Sequence, residues 1–387
     1  DIAELSNDIW KVGEEDSIYI GLEHIEEGKL RLNGFGYSKD VASNKIRFTQ
    51  NQFLFGKLRP YFRKVVKPNF SGICSTDIWA INPKDGTDLS FLFYLFANKE
   101  FVDIAYKGSS GTRMPRADWN FMKSTKWLIP KDINEQKAIA AVLSSLDDKI
   151  DLLQRQNKTM EALAETLFRQ WFIEPARAGK PHAGGEAQDD WEQISLFDAI
   201  ELVGGGTPKT SISEYWNGNI NWLSGGDISA NHKGIIVDTE KTITALGLKN
   251  SSTKILPKFS TVISARGTVG KYCILSKPMA FSQSNYGIRP KFSNCYFFTY
   301  LLIAYSVDEL QSAAYGSVFD TITTNTFKGH LVLLPKPKII EAFEDEIKPI
   351  FEKMLNNQIQ IRTLEKLRDT LLPKLMSGEV RVADPRA

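Results

Sequence analysis

The sequence predicts an α+β protein of two tandem domains, each a twisted β-sheet with helices, and two long helices pairing as an antiparallel coiled coil about a pseudo-two-fold axis. Three observations support this prediction. One order of motifs occurs twice, each copy ends in a long stretch of apolar residues spaced alternately by three and four, and basic residues are concentrated in two runs. A chain of 387 residues is also longer than one ordinary hydrophobic core can serve.

The duplication is clearest in the segments "TMEALAETL" (159–167) and "TLEKLRDTL" (363–371). Further matched pairs are "YIGLEHI" (19–25) with "WLSGGDI" (222–228), "FLFGKLRPYFRK" (53–64) with "TVISARGTVGK" (261–271), "CSTDIWAI" (74–81) with "FSQSNYGI" (281–288), "KGSSGTRM" (107–114) with "YGSVFDTI" (315–322), and "LIPK" (128–131) with "LLPK" (333–336). Each half therefore runs through short sheet segments, a helical stretch, a loop and a short apolar strand ending in proline, and then one long helix. A period of about 200 residues corresponds to two whole domains.

The long helices are predicted from two seams of residues. The first seam comprises Ile139, Leu143, Leu146, Ile150, Leu153, Asn157, Met160, Ala164, Leu167 and Trp171, and the second comprises Phe343, Ile347, Ile350, Met354, Asn357, Ile361, Leu364, Arg368 and Leu371. Sustained spacing of this kind is typical of a coiled-coil seam, in which the polar positions Asn157, Asn357 and Arg368 would fix register. We expect the two helices to pair with each other. The antiparallel orientation is an inference, and the sequence leaves a parallel pair open.

Domain boundaries follow from these elements. We predict a first domain over 1–132, a helix over 133–173, a linker rich in Pro, Gly and Ala over 174–190, a second domain over 191–337, a helix over 338–376 and a tail over 377–387. The opening of the second domain, "WEQISLFDAIELVGGGTP", has no matching phrase in the first half. The sequence therefore predicts that the first domain lacks an N-terminal strand.

Composition excludes several classes of protein. Hydrophobic residues make up 42% and charged residues 24%, as in soluble globular proteins. There is no run of eighteen apolar residues and no basic, apolar leader, so we expect a cytoplasmic protein without a membrane span. The three cysteines have no CxxC spacing and the four histidines are scattered, so no metal site is expected.

Charge is segregated behind a small net value of +2. Residues 41–76 hold seven basic residues and no acid, and residues 241–307 hold nine and no acid. Two basic surfaces on a nearly neutral chain fit two anion-binding modules. The alternative is that these lysines and arginines simply keep the strands solvated.

Several sequence segments together resemble those of the specificity subunits of type I restriction–modification systems. They are "YIGLEHI" (19–25), "INEQKAIAAVLSSLDDKID" (133–151), "ETLFRQWF" (165–172), "GGTPKTSISEYWNGNINWLSGGDI" (205–228) and "RDTLLPKLMSGEVRV" (368–382), and they occur in the order found in that family. The resemblance implies two target-recognition domains, each of which reads one half of a bipartite sequence in double-stranded DNA. It also implies that the two helices set the distance between the half-sites and bind methyltransferase subunits.

The resemblance further implies a subunit without catalysis or cofactor of its own. Two methyltransferase subunits are the expected partners, with restriction subunits as optional ones, and S-adenosylmethionine, ATP and magnesium would belong to those partners. The candidate DNA-binding residues are basic and polar side chains that suit phosphates and base edges. They are Lys57, Arg59, Tyr61, Arg63, Lys64, Arg113 and Arg116 in the first domain, and Lys209, Thr210, Arg266, Lys271, Gln283, Ser284 and Asn285 in the second. For each residue the alternative is a solvated charge or a turn position.

Two other functions have less support in the sequence. A methyltransferase or nuclease needs a catalytic motif, but Gly204–Gly206 lacks the spacing of a dinucleotide or phosphate loop and fits a tight turn before Thr207 and Pro208. No Pro-Pro pair of the adenine-methyltransferase type occurs. A coiled-coil adaptor without sequence preference would explain the helices, but it would leave the two large domains without a purpose.

Overall fold

The computed structural model describes residues 2–174, 191–315 and 320–382, so most of the predicted linker lies outside the described residues. The chain divides into two compact units. The first unit comprises Asp1–Ile150 and Thr363–Ala387, and the second comprises Asp151–Arg362. Both divisions fall within the long helices, so each unit contains a segment of both of them.

The first unit contains two mainly antiparallel sheets. Its strands are β1 (Ala3–Leu5), β2 (Ile9–Trp10), β3 (Ile18–Ile20), β4 (Gly36–Tyr37), β5 (Lys45–Phe48), β6 (Phe53–Gly56), β7 (Val65–Val66), β8 (Gly72–Cys74) and β9 (Ile78–Pro83). One sheet has the order β1-β9-β6-β7 and the other the order β2-β5-β8-β3-β4. The pairing of β3 with β8 is parallel.

Three helices cover the first of these sheets: α1 (Leu89–Ala97), α2 (Lys99–Lys107) and α3 (Trp119–Ser124). Asp88, Asn98 and Asp118 cap their N-termini by accepting hydrogen bonds from free backbone N–H groups. Phe91 to Ala97 of α1 are all buried and join one core with strands β6 and β9. This aromatic segment is therefore core.

The second unit contains three sheets. Its strands are β10 (Glu192–Ser195), β11 (Ile200–Gly204), β12 (Trp216–Leu223), β13 (Ile235–Ile236), β14 (Lys241–Ile243), β15 (Thr261–Ser264), β16 (Tyr272–Leu275), β17 (Ala280–Phe281), β18 (Asn285–Pro290) and β19 (Leu331–Leu334). The strand orders are β11-β18-β15-β16-β13, β14-β12-β17 and β10-β19. The shorter helices are α5 (Leu196–Ala199), α6 (Gly225–Ala230), α7 (Ala245–Lys249), α8 (Tyr296–Tyr315) and α9 (Thr324–Gly329) among the described residues.

Strand pairing confirms the tandem duplication. The order β1-β9-β6-β7 in the first unit reappears as β11-β18-β15-β16 in the second, with the same antiparallel pairings. The pair β3/β4 and the parallel pair β3/β8 reappear as β12/β14 and β12/β17. Sequence motifs more than 200 residues apart therefore occupy equivalent strands.

The same comparison corrects two expectations for the first half. Strand β1 pairs with β9 (Ala3 opposite Pro83) as β11 pairs with β18 (Ile200 opposite Pro290), so a counterpart of β11 is present despite its unlike sequence, whereas no described strand of the first unit corresponds to β10. In contrast, "LIPK" (128–131) does not form the predicted strand. Its counterpart β19 forms a ladder with β10, whereas no described strand of the first unit pairs with 128–131.

The long helices are the last elements of each half. The first helix, α4, covers Ile133–Phe168 and continues as a π-helical turn over Arg169–Ile173, and the second, α10, covers Pro337–Met376. Their segments run antiparallel within each unit. In the second unit Asn357 donates to Asn157 at 2.9 Å, while the rings of Phe168 and Phe343 lie 6.0 Å apart.

In the first unit the same orientation is fixed by Arg368, which donates to Asp147 at 2.7 Å, and by a shared core. That core holds Ile139 and Leu143 of α4 together with Leu372 and Leu375 of α10. The predicted seam residues are buried or half-buried throughout. The helices also bury residues outside the seam, namely Phe168, Phe172, Phe351, Leu355, Leu372 and Leu375, because each helix packs against a domain as well as against its partner helix.

Candidate nucleic-acid interface

The predicted DNA-binding residues of the second unit lie largely at one edge of its five-stranded sheet. Strand β15 ends at Ser264, and the following loop (265–271) meets the segment before β18. The Ala265 N–H donates to the Ser284 carbonyl at 2.9 Å, and the Ile322 N–H donates to the Ala265 carbonyl at 3.1 Å. Backbone hydrogen bonds therefore hold three separate segments together at this edge.

Four predicted residues are presented here: Arg266 and Gln283 are exposed, and Lys271 and Ser284 are half-buried. The side chains of Arg266 and Lys271 form no hydrogen bond or ion pair with any described residue, so their charges remain available to an anion. Asn285 is the exception, since it is only 1% exposed and its amide donates to Ser282 at 2.8 Å. The Asn285 side chain is therefore buried in β18 and is not presented at the surface beside Arg266 and Gln283.

Two of the glycines before Lys209 and Thr210, Gly205 and Gly206, allow close packing. The Gly206 N–H donates to the Phe281 carbonyl at 2.9 Å, and the Trp222 indole donates to the Gly206 carbonyl at 3.0 Å. A Cβ atom added at Gly206 would lie 2.2 Å from the Thr253 nitrogen. The glycines thus let the chain approach its neighbours, and the exposed side chains of Lys209 and Thr210 follow this turn.

The first unit builds the equivalent edge from the loop 57–64, which follows β6. The Lys57 N–H donates to the Asp77 carbonyl at 2.9 Å, and the Arg59 N–H donates to the Pro115 carbonyl at 2.7 Å. The loop 107–117, which carries Arg113 and Arg116, therefore lies beside the end of β6, just as 320–322 lies beside the end of β15. Both units gather their basic residues at the same place in the fold.

Several first-unit side chains are already engaged. Arg63 forms an ion pair with Asp369 at 2.8 Å, Lys64 donates to the Leu22 carbonyl at 2.8 Å, and Arg116 pairs with Asp77 at 2.8 Å. The hydrogen bond with Asp77 raises the pKa of Arg116 above its ordinary value.

The remaining candidates are not engaged in this way. Lys57, Arg59 and Arg113 have no side-chain hydrogen bond or ion pair within the described part of the chain. Tyr61 is exposed, and its ring lies edge-on to that of Tyr106. These four side chains are the ones this edge can offer to a ligand without breaking an internal contact.

The loop 57–64 has a backbone feature that its sequence does not reveal. Arg59 and Arg63 adopt left-handed conformations, with φ of 51° and 49°. Gly267 and Gly270 hold the corresponding places in the second unit, with φ of 77° and 79°. Glycine adopts this region without the steric penalty that a Cβ atom brings, so the two edges reach one backbone path with different residue types.

Neither Cys74 nor Cys295 is set up as a nucleophile. Burial raises the pKa of the Cys74 thiol to about 12, and burial, followed by the nearby Glu344, raises that of Cys295 to about 12, so both remain protonated. Within the described residues no cluster of three or more His, Cys, Asp or Glu side chains could hold a metal ion. What the edges offer is charge, hydrogen bonding and shape.

The structure thus contains two repeated sheet domains with equivalent basic edges and, within each unit, paired segments of the two long helices. The family model for the type I restriction modification DNA specificity domain matches residues 7–162 and 188–368. The chain therefore belongs to this family of specificity subunits. The helices of the described residues include none that is long and apolar enough to cross a membrane.

The chain is similar to two curated proteins along most of its length. It is 28% identical to the type I restriction enzyme MjaIX specificity subunit of Methanocaldococcus jannaschii, with 79% of this chain and 72% of that protein covered. It is 26% identical to the HindI specificity subunit of Haemophilus influenzae, with 80% of this chain and 81% of that protein covered. A solved structure, the S subunit of the type I system from M. genitalium, shares the fold with a TM-score of 0.57 at 15% identity, covering 97% of this chain and 93% of that one.

Proposed function

We propose that the chain reads a bipartite DNA target with a fixed gap and carries no catalytic centre of its own. The observation that supports this proposal best is the pair of equivalent edges with different side chains. Arg59, Tyr61 and Arg113 occupy one edge, whereas Arg266 and Gln283 occupy the other. Equivalent frameworks with different side chains suit two readers of different half-sites.

The available side chains suit both parts of DNA recognition. Lysines such as Lys57, Lys209 and Lys271 neutralise phosphates and fix the position of the protein without reading sequence. Arginine can bind guanine through two hydrogen bonds, and glutamine can do the same with adenine. Arg59, Arg266 and Gln283 are therefore the strongest candidates for base reading.

We infer that the paired helices set the gap between the half-sites. Asn157, Asn357 and Arg368 specify the register of the two helices. Inserting seven residues into both α4 and α10 would keep the seam in phase and lengthen each helix by about 10 Å. Such an insertion should lengthen the gap by up to about three base pairs, at about 3.4 Å per pair, while both half-sites are retained. An unchanged gap would refute this role.

The same helices carry a candidate surface for methyltransferase subunits. Leu163 and Leu367 are equivalent by the repeat and remain 47% and 43% exposed on their helices. Two such leucines suit one methyltransferase subunit each, hence two in the complex. Restriction subunits are optional partners, and S-adenosylmethionine, ATP and magnesium belong to these partner subunits.

This stoichiometry can be tested by native mass spectrometry. Leu163→Asp and Leu367→Asp should each remove one methyltransferase subunit, and the double variant should remove both. Leu152→Asp is the matched control, because Leu152 is 40% exposed on α4 but its repeat position, Asn356, is not a leucine. Loss of both subunits from either single variant would contradict two equivalent docking surfaces.

The central experiment is modified-base sequencing of a methylation-free host that co-expresses this chain with its methyltransferase subunit. We expect methyladenine within one bipartite motif with a fixed gap. Arg266→Ala should relax only the second half-site, and Arg59→Ala only the first. Methylation without a motif would favour a non-specific adaptor, and stabilisation of the isolated chain by S-adenosylmethionine would favour an enzyme.

A further inference from the structure

The loop 57–64 adopts a conformation that its residues do not favour. Arg59 and Arg63 both carry a Cβ atom in the left-handed region, where the second unit uses Gly267 and Gly270. Such residues persist only when surrounding contacts hold them in place, and they are concentrated at functional sites. Contacts from outside the loop therefore hold it in this conformation.

One set of contacts comes from a segment of α10 that is more than 300 positions away in the chain. Arg63 donates to Asp369 at 2.8 Å, and Lys29 donates to both carboxylate oxygens of Glu365 at 2.8 Å. The two acids are one helical turn apart. The loop that carries Lys29 also contacts the loop 57–64. Its Gly28 N–H donates to the Phe62 carbonyl at 3.1 Å and to the Arg63 carbonyl at 3.3 Å.

The anchoring acid is itself oriented by a buried neighbour. Asp369 accepts hydrogen bonds from the Arg368 guanidinium at 3.1 and 3.2 Å, and that guanidinium also donates to Asp147 on α4. Arg368 is among the largest fully buried side chains. The Asp369 carboxylate that binds Arg63 is thus also bound by Arg368, and the ion pair of Arg368 with Asp147 joins the two helices.

We propose that Asp369 and Glu365 are positioning residues for the first DNA-reading loop, which they hold through Arg63 and Lys29 so that Arg59 is presented at the edge. This inference rests on the proposed reading of DNA by the first unit. On this proposal, the selectivity for the first half-site depends on α10, the helix that ends the second half of the sequence. The second unit uses glycines for the corresponding backbone positions.

The most informative variant is Arg63→Gly. Glycine removes the ion pair but also relieves the left-handed strain, and Gly270 shows that this fold accepts glycine at the corresponding position. The folded state should therefore survive while the anchor is lost. Asp369→Asn removes the charge but keeps an oxygen that can accept a hydrogen bond from Arg368. Arg63→Lys retains the charge and serves as the conservative variant.

A matched control lies on the same helix. Lys374 forms a solvent-exposed ion pair with Glu379 at 3.0 Å, without a contact to the loop 57–64. Lys374→Ala removes an ion pair of α10 that has no part in the proposed anchoring.

Two readouts are needed. Hydrogen exchange of the Gly28, Phe62 and Arg63 amides in the full chain reports loop order without DNA. It should become about tenfold faster in Arg63→Gly and Asp369→Asn but not in Arg63→Lys or Lys374→Ala. In the methyltransferase complex, the preference for cognate DNA over DNA with an altered first half-site should fall about three- to tenfold in the same two variants. The preference at the second half-site should stay constant.

The outcomes separate this inference from the proposed function. Faster exchange together with a first-half-site defect supports the inference. Unchanged exchange, or faster exchange with unchanged discrimination, overturns it. Arg59→Ala tests the underlying function: if it lowers first-half-site discrimination while Arg63→Gly does not, only the positioning role fails. If Arg59→Ala has no effect, the loop does not read DNA and both proposals for it fail.

Discussion

The buried pair of Arg368 and Asp147 gives the sharpest prediction for stability. Arg368 is 1% exposed, and burial works against its charge, but Asp147 and then Asp369 raise its pKa above the ordinary value. Asp147 also accepts a hydrogen bond from the Tyr94 hydroxyl at 2.7 Å. The variant Arg368→Ala removes the cation and leaves Asp147 facing a cavity with Tyr94 as its remaining donor.

The expected magnitude follows from this environment. Removing one partner of a buried ion pair costs about 3–5 kcal/mol, because the other charge is left uncompensated. The Asp147 side chain is 25% exposed, so water can partly replace the lost partner, and we expect the lower end, about 3 kcal/mol. A compact unit of this size loses about 2–4 °C in Tm per kcal/mol, so its transition should fall by about 6–12 °C.

Differential scanning calorimetry of the full chain is the appropriate assay, because separate transitions for the two units can be compared within one sample. We expect the loss in the first unit only. The double variant Arg368→Ala/Asp147→Ala should be less destabilised than the sum of the single variants by about 1–3 kcal/mol, since it leaves no unpaired charge. A Tm change below about 1 °C for Arg368→Ala, or additive single variants, would show that the pair is energetically unimportant.

Three further predictions concern the second unit. Gly206→Ala should lower the stability of this unit by about 1–3 kcal/mol in chemical denaturation, since the new methyl group would meet the Thr253 backbone; wild-type stability would exclude the close approach. Burial, and then the neighbouring Glu165, raises the pKa of Glu161 to about 7, above its unfolded value, so the contribution of Glu161 to stability should be greatest below its unfolded pKa and be lost as pH rises through 7. Glu161→Gln should flatten that dependence, and an unchanged pH profile would contradict it. Replacing Asn157 and Asn357 together by leucine should raise the Tm of the second unit but permit alternative helix registers, detectable by cysteine cross-linking along the seam.

The helices and the duplication could be predicted because both are visible in the order of residues along the chain. Residues spaced alternately by three and four predict the position and length of each long helix. Matched sequence segments indicate which elements of the two halves are equivalent. The prediction of the seam missed the aromatic residues Phe168 and Phe172. A heptad pattern identifies only the residues that face the partner helix, whereas these two rings pack against a domain as well. Strand β1 was missed for a related reason: its backbone pairing with β9 is kept while its side chains differ from those of β11.

The candidate interface was predictable as a set of basic residues but not as a geometry. Arg59 and Arg266 were identified from their place after apolar strands, and the structure puts both loops at equivalent sheet edges. Nothing local indicates that Arg63 is engaged by Asp369, because the partner lies 306 residues away in the sequence. The left-handed conformation of Arg59 was equally hidden, since arginine is not a residue type that marks such turns. The burial of Asn285 was hidden as well, because a polar residue after a loop resembles a contact residue until the strand that buries it is known.

The first unit combines two segments that flank the second unit in the sequence, and this has a consequence for synthesis in the cell. Its core includes Leu372, Leu375 and Met376 alongside strands formed from the first hundred residues. A ribosome therefore releases the second unit's residues before it delivers the segment that completes the first. Until then the apolar faces of Ile139 and Leu143 lack their helical cover, so a chaperone or an assembling partner would have its longest opportunity to bind there. Synthesis of the first unit therefore begins before that of the second unit and is completed after it.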